Sequence, residues 1–307
     1  MMLMNSVMYS CLENENIKGI IFMFPIFAPL FSMTSSNWWL VWLSLEIMTF
    51  SMVVCIYFSN SMMKAEVSMV YFVVQSISGV LLLVGASFTS LISANHLVCS
   101  MFLLTGLAAK LGLFPMHFWV IPILSMLSYW QIGVLLGPMK IIPLSMLYTV
   151  SADSTLWLMM MIISLFSMLC GGILGNIMAN LKSVLGASSI THSGWFVLAY
   201  MFNLMWLYFW VYYVSLFFLL ISMSIMNSNL ASWSLLSMSG LPPFWLFFAK
   251  AHIIMEFISY TSSPLLLIFP LGGAMISLYF YLKYVYALWL THFNSFKVST
   301  LMYVLHA

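Results

Sequence analysis

The sequence contains no arginine, and charged residues make up only 5% of its 307 positions. Eight lysines face six acids, giving a formal net charge of +2 with no basic run or patch, so a nucleic-acid partner is not expected. The four cysteines, Cys11, Cys55, Cys99 and Cys170, stand singly. Without a CxxC pair there is no ligand set for zinc or an iron–sulfur cluster, and they read as small apolar fillers. The histidines show neither HxxxH nor HExxH spacing. A glycine-rich phosphate loop, a Ser–His–Asp order and paired catalytic carboxylates are equally missing, so neither a cofactor nor a bound metal is expected. The segment 1–16 carries Glu13 and Glu15 and lacks the basic, amphipathic character of a transit peptide, which argues against an import or secretion signal.

What the chain does have is apolar length. Hydrophobic residues account for 64% of it, and the mean hydropathy is +1.11. So few charges do not cover the surface of a soluble domain, and apolar runs of about 20 residues are long enough to cross a bilayer as helices. Ten such runs lie near 17–33, 37–58, 67–90, 96–127, 129–149, 155–179, 184–203, 205–227, 232–260 and 264–290. The expected fold is all-α: a polytopic membrane protein of about ten transmembrane helices, with membrane lipids around it. Twelve tryptophans suit interfacial anchoring, and the many methionines suit core filling.

Two runs are overlong and interrupted. The fourth holds Gly106, Gly112, Pro115 and Pro122, and the ninth holds Gly240, Pro242 and Pro243. Proline removes a helix donor, and such a break persists at membrane depth only inside protein or beside a wet cavity. Dividing the ten runs into two sets of five puts the interrupted helix fourth in each. Matching interruptions in two halves point to inverted repeats, here residues 17–150 and 151–290, flanked by an N-terminal segment 1–16 and a C-terminal tail 291–307. Lys18, Lys64, Lys182 and Lys297 fall in loops on one side of ten crossings, and Asp153 on the other; the positive-inside rule then places both termini on the inner side.

Ionisable groups inside these runs are the candidate functional residues, because a charge at the bilayer centre costs about 2.5–3.5 kcal/mol on insertion scales. Glu46 lies mid-run and requires a partner or a water cavity. Lys110 stands five residues before Pro115, whose ring frees the carbonyl of Leu111 beside the ammonium. Lys140 follows Gly137-Pro138-Met139, and Lys250 lies seven residues, two helical turns, beyond Pro243. Burial disfavours a charged amine while a nearby carboxylate favours it, so an amine held between the two can load and release a proton. Glu256 is nearer a helix end and reads equally as an exit carboxylate or an interfacial charge. Lys283 reads as a lysine snorkelling to the interface. His117 and His192 are imidazoles within the runs; His192 ranks higher because it sits in the polar stretch Ser188-Ser189-Ile190-Thr191-His192-Ser193.

Several of these stretches resemble one family. Trp42-Leu43-Ser44-Leu45-Glu46 resembles W-x-G-L-E. Tyr71-Phe72-Val73-Val74-Gln75 is similar to Y-F-L-x-Q. The stretch from Ala109-Lys110-Leu111-Gly112 to Pro115-Met116-His117-Phe118-Trp119 resembles M-K-L-G-x-x-P-F-H-F-W. Leu185 to Trp195 resembles L-A-Y-S-S-I-T-H-M-G-W, Gly240-Leu241-Pro242-Pro243 with Lys250 resembles G-L-P-P-x-x-G-F-x-x-K, and Leu278 to Lys283 resembles L-Y-F-Y-L-R. On these motifs the chain resembles the chain 2 family of mitochondrial NADH–ubiquinone oxidoreductase, antiporter-like membrane subunits of respiratory complex I. One departure is Val120-Ile121-Pro122-Ile123, which stands where the family has an acidic residue. Many members also have a further helix after the last run.

The resemblance implies a proton-pumping subunit in the mitochondrial inner membrane, with no redox centre of its own and no directly bound NADH or quinone. Its partners would be other membrane-arm subunits, including neighbouring antiporter-like ones. The proton-translocating roles carry over to Glu46, Lys110, Lys140 and Lys250, with a glutamate–lysine pair facing a central lysine along a hydrated axis. A sodium/proton antiporter-type subunit and a non-pumping scaffold of the membrane arm are the alternatives.

Overall fold

The computed structural model describes residues 15–35, 37–57, 62–91, 96–150, 154–260 and 264–305. The segment up to residue 14, Asp153, and the side chains of Lys18, Lys64 and Lys297 lie outside the described residues. The chain divides into two compact units, Met1–Leu158 and Met159–Ala307.

In the first unit, α1 (Glu15–Thr34), α2 (Trp38–Tyr57), α3 (Met62–Leu91) and α4 (His96–Leu111) pack in sequence order, each against the next. α4 stops at Leu111 because Gly112 adopts φ +69°, a conformation open to glycine at no steric cost. The amide of Leu113 donates to the carbonyl of Ala108 at 2.9 Å and that of Gly112 to Ala109 at 3.3 Å, the paired bonds of a Schellman ending. The helix therefore ends four residues before Pro115, and glycine, not proline, decides where. The chain resumes as α5 (Val120–Met126). The indole of Trp119 closes the gap by donating to the Ala109 carbonyl at 3.0 Å.

The next run is interrupted as well. α6 (Tyr129–Leu136) begins with a capping box of Ser128 and Gln131, and α7 (Pro138–Met146) follows after Gly137 at φ −104°, ψ −95°. Pro138 has no amide to donate, so the ladder cannot run through. The sequence names two interrupted helices; this third, immediately before Lys140, is a finding of the structure. α7 packs against α1, α2 and α4.

α8 (Ser154–Ile177), which begins just before the boundary and lies mostly in the second unit, is continuous, as are α9 (Leu181–Met201) and α10 (Met205–Ser224). α11 (Ser228–Ser239) and α12 (Trp245–Tyr260) form the second interrupted helix around Gly240 at φ +79°, and α13 runs from Ile268 to Leu305, through the boundary expected near 290. α9 is buried from Ser183 to Tyr200 without a break. Its serines and threonine turn back onto carbonyls three or four residues earlier, such as Thr191 to Ser188 at 2.7 Å and Ser193 to Ser189 at 2.7 Å. A helix enclosed by protein can carry this much polarity, because each hydroxyl finds its acceptor locally. Gly171 lets α8 approach the backbone of α9, where an added Cβ would meet the amide of Thr191 at 2.7 Å.

Six helices among the described residues are long and apolar enough to cross a membrane. Tyr129–Thr149 counts as one of these spans across its break at Gly137; the halves of the other two interrupted helices are too short singly, and the buried serines, threonine and histidine of α9 lower its hydropathy. Large side chains such as Phe50, Phe118, Trp210, Phe218 and Trp245 point outward, as lipid-facing surfaces do.

Candidate functional site

The Schellman ending puts Lys110 in the last turn of α4, with its ammonium at the negative end of the helix dipole. Its side chain is 2% exposed. Across from it, α2 presents Glu46, 30% exposed, with Nζ and Oε1 3.7 Å apart. That separation is an ion pair just beyond hydrogen-bond reach, and neither atom has a hydrogen-bond partner among the described residues. Lys110 also lines a cavity of about 20 Å³, together with Lys140 of α7, Tyr71 and Gln75 of α3, Thr49 of α2 and Trp119. Such a space admits about one water. Two buried amines thus share one small chamber, otherwise walled largely by apolar side chains such as Leu45, Met48 and Leu135, and a carboxylate neutralises one of them. The Tyr71 hydroxyl reaches the sulfur of Met139 at 3.8 Å, and its ring meets Trp119 edge-on at 5.9 Å.

The second unit solves the same problem differently. Lys250 starts on α12 but turns back to the interruption. Nζ donates to the carbonyl of Ser239, the last residue of α11, at 3.3 Å and lies 5.7 Å from the centre of the Trp195 ring. The distance of two turns counted from Pro243 is therefore not where the charge sits, because the chain folds back at Gly240 and the long side chain spans the gap. A Cβ at Gly240 would lie 3.2 Å from that Nζ. The carbonyl end of a half-helix and an aromatic face stabilise the cation, with no carboxylate paired to it among the described residues.

His192 of α9 is buried, with Nδ1 2.8 Å from the Tyr208 hydroxyl and its ring 4.6 Å from that of Tyr212. Tyr208, Tyr212 and Tyr281 are all fully buried, and the Tyr212 and Tyr281 hydroxyls have no hydrogen-bond partner among the described residues. Tyr281 falls within the Leu278–Lys283 motif, but nothing in the sequence singles out any of the three as a functional group. Aromatic residues are so common in membrane helices that burial alone distinguishes them.

A family model described as NADH:quinone oxidoreductase/Mrp antiporter, TM, matches residues 35–233. The NADH-ubiquinone oxidoreductase chain 2 of Albinaria caerulea is 35% identical over 260 residues, spanning 84% of this chain and 85% of that one. The chain belongs to the NADH-ubiquinone oxidoreductase chain 2 family. The fold is also that of a chain in respiratory complex I from Thermus thermophilus (TM-score 0.75, 18% identity, 85% of this chain and 67% of that chain). A chain of the Mrp complex from a Dietzia species is similar in the same way (TM-score 0.74, 16% identity, 83% and 57%).

For a chain 2 family member, the six candidate residues sort as follows. Glu46, Lys110 and Lys140 come together in the first unit. Lys250 and His192 are both buried in the second and are linked to one aromatic group: Trp195 lies under the ammonium and stacks on Tyr208 at 6.2 Å. Glu256 does not join them. Lys250, Ile253 and Phe257 make the buried face of α12, and Glu256 falls on the exposed one. Lys283 is likewise exposed. His117 is buried between Phe114 and Phe118 in the loop after α4, stacked on Phe118 at 4.5 Å.

Proposed function

We propose that this chain translocates protons as a membrane-arm subunit of NADH:ubiquinone oxidoreductase in the mitochondrial inner membrane, with both termini on the matrix side. In this reading residues 17–150 and 151–290 are its two five-helix halves. It carries no redox centre; electrons pass from NADH to ubiquinone in partner subunits, and neighbouring antiporter-like subunits and lipids surround it. The observation that carries the proposal is the Glu46–Lys110 pair, 3.7 Å apart, at the edge of the chamber it shares with Lys140. Like charges in a low-dielectric interior repel strongly, and an ion pair screens that repulsion. With Glu46 drawn close, Lys110 is neutralised and Lys140 holds a proton. With Glu46 withdrawn, the bare Lys110 charge expels that proton. The partial exposure of Glu46 leaves it open to displacement by a neighbouring subunit. Lys250, held by Ser239 and Trp195, serves as the later carrier.

The test is a complex carrying Lys110→Met. It is expected to assemble and oxidise NADH with a reduced proton yield; full yield refutes the carrier role. The matched family also spans Mrp antiporters, so sodium exchange is the second reading. Translocation that depends on sodium favours it, and sodium-independent translocation excludes it. A purely scaffolding role predicts that Lys140→Met and Lys250→Met matter only when assembly fails.

A further inference from the structure

The oxygen of Glu46 that faces Lys110 is also the one that rests on Gly79 of α3. A Cβ built at Gly79 would overlap Glu46 Oε1 outright and come within 3.0 Å of Cδ and 3.6 Å of Oε2. One turn earlier on α2, the Trp42 indole donates to the Gly79 carbonyl at 3.0 Å. Trp42 and Glu46, four residues apart on one helix face, therefore straddle the same glycine. The indole anchors α2 to α3 there, and the missing side chain leaves a depression that the carboxylate fills. Oε1 is buried and makes no hydrogen bond among the described residues, so no donor fixes its place; only the shape of this seat and the Lys110 charge do.

We propose that Gly79 is a positioning residue for proton translocation: together with the Trp42 indole it seats the Glu46 carboxylate and so sets how strongly Glu46 holds Lys110. This rests on the carrier reading of the Glu46–Lys110 pair. Oε1 is the tip of a flexible side chain, so a methyl group at Gly79 moves the carboxylate without forcing the two backbones apart. The first ångström added to 3.7 Å weakens the attraction enough to change the proton affinity of Lys110 by up to roughly fivefold at an effective dielectric near 20.

The experiment compares Gly79→Ala and Trp42→Phe with the parent chain in the assembled complex, by cryo-electron microscopy and by the pH profile of proton yield per NADH. Gly79→Ala is expected to lengthen the Glu46–Lys110 separation by about 1 Å and to shift the profile toward acid by up to about 0.7 pH unit, the fivefold change above. Trp42→Phe keeps the aromatic bulk but loses the anchor, and is expected to give a smaller shift in the same direction. Gly79→Ala in a Glu46→Gln background should produce no shift, since moving a neutral amide leaves the field at Lys110 unchanged. An unmoved carboxylate overturns the proposal, as does a shift that persists in the Glu46→Gln background, which would place the effect in helix packing. Should the Gly79→Ala complex fail to accumulate, Trp42→Phe alone decides, and an unshifted profile overturns the proposal. The carboxylate displacement is read from coordinates, so it stays informative even if Lys110→Met proves that this pair carries no proton.

Discussion

Neutralising Glu46 tests the ion pair quantitatively. At 3.7 Å and an effective dielectric near 20, the attraction to Lys110 is about 4.5 kcal/mol. The carboxylate is 30% exposed, and screening reduces this to about 2–4 kcal/mol. Glu46→Gln removes that attraction and leaves an ammonium, 2% exposed, with no counter-charge, a kind of loss that costs about 3–5 kcal/mol in buried pairs. Lys110→Met removes the other partner and strands a less buried carboxylate, so its cost is smaller. In the double variant Glu46→Gln/Lys110→Met no charge is stranded, and Met replaces much of the lysine stem, for an expected cost under about 1.5 kcal/mol. The signature is therefore non-additivity: the double variant is more stable than Glu46→Gln alone, with a coupling of about 2–4 kcal/mol. The assay is the survival of assembled complex on native gels after graded heating. A coupling below about 0.5 kcal/mol, or a double variant worse than both singles, refutes the claim that these groups hold one another.

Three further outcomes are expected. Gly112→Ala forces a side chain into φ +69° and into the Val120 side chain, so assembled complex should fall sharply when quantified by native gel. Gly240→Ala meets the same backbone penalty, about 1–2 kcal/mol, but the atoms nearest its Cβ belong to the flexible end of Lys250; assembly should persist while proton yield per NADH drops, because Nζ is pushed from the Ser239 carbonyl. Tyr208→Phe removes the 2.8 Å partner of His192 inside a closed core, and should lower the thermal midpoint of the complex by an amount equivalent to about 1–3 kcal/mol; an unchanged midpoint would show that the imidazole re-pairs without loss.

The amino-acid sequence settled what local chemistry can settle. Helices of membrane length follow from apolar runs, and a charge within such a run stands out whatever lies across from it, so Glu46, Lys110, Lys140 and Lys250 could be named at once. Glycine and proline marked two interruptions for the same local reason, a missing donor or a positive φ. The third, at Gly137–Pro138, was equally visible but lay within a run of ordinary length, and nothing in that length called for a break. The structure alone decided which faces meet. Counting along the helix set Lys250 two turns from the interruption, yet a fold-back at Gly240 and a long flexible side chain brought its charge to Ser239. Glu256, only six residues on, was turned to the outside. The tyrosines around His192 and the glycine under Glu46 carry no sequence signal, since aromatic and small residues are common throughout membrane helices. The reason is physical: 3.6-residue periodicity fixes neighbours on one helix, whereas partners on other helices depend on crossing angles and register set by close packing over the whole bundle.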